Sequence, residues 1–427
     1  MVTYVNDLRL SELATGEGSG TWGTTTNTNL ELIAEKFGTA SEALSDASTA
    51  TLTMADGTSD AFRSLALTLT GSLSQACTVT LAPNTLSNVW VIQNSAGNTV
   101  TLTQGTGANV VIPNGGIRMV AADGAGSGAA VTDVLDVLGG TGNVGLGSGA
   151  FGTGLTTGTD NVSVGENAGD ALTTGSDNTF VGDNAGGATT TGDQNTALGS
   201  SALLTNSTGE YTVAIGHEAL KAQTTATNNV AVGWQAGLAT TTGASNTFLG
   251  QYSGSANTTG ANNVAVGALS LDANTTAANN VAVGYAALSG NTTGATNTAV
   301  GALALYSNTT AANSTAVGYN ALGNSGGSLN TAVGSTTLDN NTTGAANTAV
   351  GYGALGANTT ANNNTAFGAY TLEDNTTGTA LVAVGAGALK NNTTASNNIA
   401  MGLDALMTNT TGDTNVAIGK DSMKLNT

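Results

Sequence analysis

The chain has 427 residues, enough for two or three domains, and only 8% of them are charged, with 61 glycines and two prolines. Its formal net charge of −19, from 27 acidic residues against eight basic ones, argues against nucleic-acid binding by counterion release and against adhesion to an anionic membrane surface. Low charge with abundant Thr and Val does not suit a disordered chain, and Gly, Asn and Thr are poor helix formers, so many short strands and turns are expected.

The lone Cys77 allows no intramolecular disulfide. Set in Ala76-Cys77-Thr78-Val79, it reads as a small core residue rather than a reactive thiol. The opening MVTYVNDLRL has no basic region followed by an apolar stretch, so no secretory signal is expected. No run approaches the roughly 20 apolar residues that span a bilayer. A soluble protein made in a cytoplasm, with no membrane insertion, is the expectation.

Three regions follow in order: residues 1–45, 46–138 and 139–427. In the first, Thr28-Asn29-Leu30-Glu31 matches a capping box. Leu30, Ile33, Ala34 and Phe37 then share a face at helical spacing, with Gly38 placed to close the helix. This predicts an amphipathic helix over 29–37 that packs on a partner or on the next domain. Ser41 to Ala47 is predicted to add a second helical turn, with Ser41 as N-cap.

The second region alternates like strands. Ser64 to Thr70, Cys77 to Leu81, Val89 to Ile92, Thr99 to Leu102, Asn109 to Ile112 and Ile117 to Val120 are the predicted ones. Asp56-Gly57, Pro83-Asn84, Ala96-Gly97-Asn98 and Pro113-Asn114-Gly115 separate them as turns. A small β-sandwich-like domain is expected.

The third region is an array. Seventeen glycines, each preceded by an apolar residue, recur from Gly147 to Gly419 at steps of 17, with one step of 18 (Gly147 to Gly165) and one of 16 (Gly318 to Gly334). Spacing this strict identifies a structural repeat. With the pivot Gly as position 0, a unit reads Asn at −4, Val or Thr at −3, Ala at −2, and a large apolar residue at −1. Ala at +3, Leu at +4 and then Asn-Thr-Thr complete it.

Each unit has the parts of one coil. Positions −4 to −1 predict a short strand, the pivot a bend that a Cβ would obstruct, and Asn-Thr-Thr-Gly a corner. The predicted fold is therefore all-β: a parallel β-solenoid, or β-roll, of 17-residue coils. A single unit cannot repay its ordering entropy with two apolar side chains, so the coils must stack on one another. The predicted solenoid core is Val266, Val283, Val300, Val317 and Val350 at −1 with Leu288, Leu305 and Leu355 at +4. Asn263, Asn280, Asn297 and Asn347 at −4 are placed to bond to their copies in adjacent coils as a ladder. Period-two alternation puts Ala265, Ala282, Ala299, Ala316 and Ala349 on the opposite, outer face. That face would normally take Ser, Lys or Glu, so it is predicted to pack on another chain; a small residue tolerated at an outer position is the alternative.

Little in the chain carries reaction chemistry. Gly140 to Gly145 and Gly147 to Gly152 match a dinucleotide fingerprint, but a glycine-rich chain produces such matches by chance, so no cofactor is expected. One histidine, His217, cannot build a metal site with Cys partners, and Asp160, Asp177, Asp183 and Asp193 do not recur in register as a calcium site would need. No catalytic residue and no metal are assigned. The Asn-Thr-Thr triplets match a glycosylation acceptor but are explained by turn chemistry. Trp234, Tyr285, Tyr319 and Tyr352 share position +1. This aromatic file is a candidate receptor or glycan contact, or a contact between chains.

The repeated Asn-Thr-Ala-Val-Gly…Ala-Leu phrase over about 143–427 resembles the Asn-x-Val-Ala-Ile-Gly coils in the heads of bacterial trimeric autotransporter adhesins, which use shorter coils. MVTYVNDLRLSELATGEGSGTWGTTTNTNLELIAEKFG, with Asp56-Gly57-Thr58-Ser59-Asp60 and Ser64-Leu65-Ala66-Leu67 after it, resembles tail-fibre proteins of marine phages, especially those of cyanobacteria. The two resemblances imply a homotrimer whose N-terminal region attaches to other tail or baseplate proteins of a virion, and a rod that meets a host receptor or glycan. The expectation is a non-enzymatic tail fibre located on the virion. Its alternatives are a polysaccharide-degrading tailspike, an exported adhesin, and an ice-binding solenoid; in the last, the adjacent threonines would let at most half of them face one way.

Overall fold

The computed structural model describes residues 7–11, 19–134, 142–152, 155 and 157–426. It divides into two units, Met1–Ala150 with Thr159–Val164, and Phe151–Gly158 with Gly165–Thr427.

In the first unit, helix α1 spans Trp22–Lys36. It begins before the predicted capping box, which lies inside it, and Thr21 at its N-cap makes no side-chain cap bond. Leu32 is its buried residue, while Leu30 and Phe37 are exposed. The predicted stripe is therefore rotated, because the docking face is set by Asn29, Leu32 and Lys36 at i, i+3 and i+7. The Asn29 amide donates to Ser11 O and accepts from Ser11 N–H, both at 3.1 Å. Lys36 Nζ donates to Val89 O at 3.0 Å and lies 5.7 Å from the centre of the Trp90 ring.

Strands β1 (Thr39–Leu44), β2 (Thr49–Thr53), β3 (Ala66–Gly71), β4 (Cys77–Ala82), β5 (Ser87–Ser95), β6 (Val100–Thr103), β7 (Val110–Ile112), β8 (Ile117–Asp123) and β9 (Val131–Asp133) follow. They form two sheets, β1-β3-β5-β8-β9 and β2-β4-β6-β7. The predicted helical turn over Ser41 to Ala47 is instead mostly β1. Its alternating residues find a parallel partner in β3, from Thr39 opposite Ala66 to Leu44 opposite Gly71, and pairing overrides local propensity. The two layers arise by coiling: successive strands alternate between sheets, and β1, β3 and β5 run parallel, as do β2, β4 and β6. Among the described residues, antiparallel pairs involve β7, β8 and β9. Leu67, Leu69, Val79, Leu81, Trp90 and Ile92 belong to one shared core. Cys77 is buried in it, and desolvation pushes its thiol pKa up.

Arg63 is fully buried beside this core. Its guanidinium donates to Leu8 O, to Ala55 O at 2.7 Å and to Thr58 O at 3.1 Å, and it pairs with Asp60 at 3.3 Å and Glu35 at 3.7 Å. One side chain thus ties residues 8, 35 and 55–60 together. Removing a buried charge that satisfies several acceptors typically costs about 3–5 kcal/mol. Arg63→Met is therefore expected to lower the unfolding free energy of this unit by that much, read as a lower urea midpoint; an unchanged midpoint would mean the clasp is incidental.

The array forms strands β10 to β26, each of three residues at positions −3 to −1. In the first unit β10 pairs with β11, and in the second β12 to β26 form one parallel sheet ordered as in the sequence. Within the second unit the register advances by one coil per strand: Val264, Ala265 and Val266 pair with Val281, Ala282 and Val283. The shorter unit keeps this pairing, Thr315 lying opposite Thr331. Its missing residue falls in the corner, where Ser325-Gly326-Gly327 replaces Asn-Thr-Thr-Gly.

The facing of the strand is the reverse of the prediction. Ala265, Ala282, Ala299, Ala316 and Ala349 are completely buried within one chain. They line the solenoid interior, not a trimer face. Val266, Val283 and Val350 are only partly buried, and Val300 and Val317 are 37% exposed. They form an outer row, not the core. The interior is narrow: Leu288, Leu305 and Leu355 at +4 and the alanines at +3 are fully buried there, leaving room for only a methyl group at −2.

Two aromatic substitutions show the same constraint. Phe180 and Phe248 occupy −2 and are buried, and in each of those coils Leu at +4 is replaced by glycine, Gly186 and Gly254. A Cβ on Gly186 would lie 2.6 Å from the Phe180 ring, and one on Gly254 2.3 Å from Phe248. Elsewhere Leu at +4 adopts a left-handed backbone, with φ of 52° at Leu288 and 54° at Leu355. That costs roughly 1–2 kcal/mol, and full burial of the side chain, worth about 1.5–3 kcal/mol, offsets it.

The asparagine ladder at −4 is present. Asn280 N–H donates to Asn263 Oδ1 at 3.0 Å, Asn297 N–H to Asn280 Oδ1 at 2.9 Å, and Asn347 N–H to Asn330 Oδ1 at 2.9 Å. The rung is thus backbone to side chain. The amides also donate across the coil, Asn263 Nδ2 to Ala277 O at 2.9 Å. A second ladder, not foreseen from the sequence, uses the Asn of Asn-Thr-Thr: Asn274 Nδ2 donates to Asn257 Oδ1 at 2.7 Å and Asn291 Nδ2 to Asn274 Oδ1 at 3.1 Å. These asparagines are completely buried. Their amides are held inside the folded coil.

Candidate functional site

The pivot glycines turn the chain at φ near 130°, as at Gly284 and Gly318, and the residue after each one stands on an outer corner. Trp234, Tyr285, Tyr319 and Tyr352 at +1 are all exposed, the three tyrosines by 52–57%. The file is continuous in register but not in aromatic character. Ala302 and Ser335 occupy the same position on the coils between the tyrosines. Tyr285, Tyr319 and Tyr352 therefore stand on every second coil, those of β18 (Val281–Val283), β20 (Thr315–Val317) and β22 (Thr348–Val350).

At two places the corner gathers more chemistry. On successive coils, Trp234 Nε1 lies 3.2 Å from His217 Nδ1, within hydrogen-bond distance, and the Trp234 ring is 4.8 Å from Tyr252. Farther along, Tyr352 and Tyr370 meet edge to face at 5.3 Å. Lys390 sits 5.2 Å from the Tyr370 ring centre and 3.1 Å from Glu373. The hydrogen bond to Glu373 raises the Lys390 pKa above its usual value, so this cation stays charged.

Tyr352 and Tyr370 form one side of a cleft of about 360 Å³. Gly353, Gly356 and Ala357 also line it, with Thr336, Asp339, Asn340, Glu373 and Asp374. Burial raises the Asp339 carboxyl pKa. Aromatic faces beside carboxylates and an amide suit a ligand with apolar faces and a hydroxylated rim.

The +1 file was legible in the sequence. Tyr252 and Tyr370 were missed because they stand at +2, one residue out of register. The cleft carboxylates were missed as a set, although acids at +5 recur at Asp170, Asp272, Asp339 and Glu373. Of the acids considered for calcium, Asp193 accepts from Ser176 N–H at 2.7 Å. Among the described residues, no three His, Cys, Asp or Glu side chains gather as metal ligands would, and no helix is long and apolar enough to cross a membrane. In the corner triplets the first threonine is half-buried and bonds onward, Thr275 Oγ1 donating to Thr292 O at 3.2 Å, whereas Thr276 and Thr293 are exposed. One threonine per coil thus faces out.

Compared with protein-family models and with curated proteins, the chain finds no match.

Proposed function

We propose that the chain is a structural virion fibre, non-enzymatic, in which the N-terminal region docks on a tail or baseplate and the solenoid presents a corner for host recognition. The observation that carries this reading is the unbroken parallel register through β12 (Thr179–Val181) to β26 (Val416–Ile418). At about 4.8 Å per strand, fifteen coils reach on the order of 70 Å. The opening sequence, which resembles phage tail fibres, supplies the virion part of the proposal. Immunogold electron microscopy of phage particles from the source is expected to label tail appendages; particles that lack the protein would remove the proposal.

Three copies are proposed to associate through the outer row, which replaces the alanine face as the contact. Val300, Val317, Val333, Phe367 and Met401 leave 37–42% of their area exposed along one side of the sheet. A face about 70 Å long and about 10 Å wide approaches the roughly 800 Å² per partner of a stable interface.

A polysaccharide-degrading tailspike is the second reading, favoured by the carboxylates Asp339, Glu373 and Asp374 around one cleft. Glycoside hydrolysis uses two carboxylates about 5–10 Å apart. Release of reducing ends from host glycans, lost in Asp339→Asn, would favour the enzyme; their absence favours the fibre.

A further inference from the structure

We infer that the tyrosine file binds an extended, neutral, 1,4-linked polysaccharide lying along the solenoid axis, with every second sugar stacked on one tyrosine. This rests on the proposed recognition role and specifies its ligand. Tyr285, Tyr319 and Tyr352 share one coil position and are more than half exposed. Each is separated from the next by one intervening coil, through the register β18 to β22. Two strand spacings are about 9.6 Å. In a flat ribbon of 1,4-linked pyranoses, alternate sugars turn the same face the same way, and the repeat of two sugars nearly equals that distance. The apolar face of a pyranose stacks on an aromatic ring, while its hydroxyls stay at the edge.

The intervening positions fit the same ligand. Ala302 and Ser335 are small, so the sugars that turn the other way meet no obstructing ring. The file ends at the cleft beside Tyr352, where Asp339, Asn340 and Asp374 supply acceptors and an amide for hydroxyl groups. A net charge of −19 disfavours an acidic polysaccharide. From Tyr285 to Tyr352 is four spacings, about 19 Å, the reach of about five sugars.

Isothermal titration of the full chain with β-1,4-linked oligosaccharides of glucose, N-acetylglucosamine and mannose, two to six units long, tests this, because the β linkage is the one that gives the flat ribbon. Dextran and alginate serve as the 1,6-linked and acidic controls. At least one series is expected to gain affinity with length, more than tenfold between two and five sugars. Tyr319→Ala, an exposed position whose fold is checked by circular dichroism, is expected to weaken the five-sugar ligand roughly five- to tenfold. Moving the central ring by one coil, in Tyr319→Ala with Ala302→Tyr, is expected not to restore binding. Length-independent affinity, or binding unchanged in Tyr319→Ala, overturns the inference. A mixed glycan array run in parallel separates the two levels. Capture of other glycans leaves the recognition role standing without the ribbon, and capture of none removes both.

Discussion

Gly284→Ala is expected to destabilise the array by about 3 kcal/mol or more, because strain and overlap add at one residue. Gly284 has φ +131°, and a Cβ there would lie 2.6 Å from the carbonyl carbon and oxygen of Gly301 on the next coil. Neither partner is a flexible side-chain end, so the coils themselves must separate. Urea unfolding should show the loss, and hydrogen exchange should place it at the coils on either side of residue 284. Gly353→Ala is the control. It stands at +2 with φ +64°, where a Cβ would meet only Tyr370 at 3.4 Å, and Ala286 already occupies the equivalent position with φ 52°. Its effect is expected to stay at the roughly 1–2 kcal/mol of a left-handed alanine. Equal losses in the two variants would mean that left-handed strain alone, and not the close approach of coils, explains the pivot.

Phe248→Ala is expected to cost about 3–5 kcal/mol, the usual price of emptying a buried aromatic site. Gly254→Leu alone is also expected to destabilise, since its Cβ would lie 2.3 Å from the Phe248 ring. Together they rewrite the coil in the form of its neighbour, where Ala265 and Leu271 are both fully buried. The double variant is therefore expected to be more stable than either single one, with a coupling energy of about 2 kcal/mol or more. Gly237 also abuts Phe248, its Cβ position being 2.7 Å from the ring, so some cavity remains and recovery is incomplete. Simple additivity of the two losses would contradict the proposed complementarity between −2 and +4.

The strictness of the repeat made the coil legible: pivot glycine, Leu at +4 and Asn at −4 recur because each has one place in a stack. Which side of the strand faced inward was not legible from alternation. A period of two separates two faces but does not say which is inside, and residue size misled, because this interior is too narrow for Val. The clue lay in Phe248 with Gly254 and Phe180 with Gly186, where a large residue at −2 accompanies loss of one at +4. The second ladder was hidden because Asn in Asn-Thr-Thr serves a turn equally well. In the first unit, Thr39–Leu44 became a strand through pairing with β3, a long-range partner that local propensity does not reveal. At the corner, the tyrosine file followed the period and was read from it, whereas the cleft repeats the offsets +2, +5 and +6 on three coils but fills them with unlike residues, so no single residue type marked it.

The inward alanines and outward valines make one quantity decisive: the number of copies that associate. Light scattering of the purified full chain is expected to give three times the mass of one chain, falling to a single-chain mass when Val300, Val317 and Val333 are changed together to Lys with the circular dichroism unchanged. A single-chain mass for the unaltered protein at micromolar concentration, or a threefold mass that survives those three changes, would contradict assembly through the outer row.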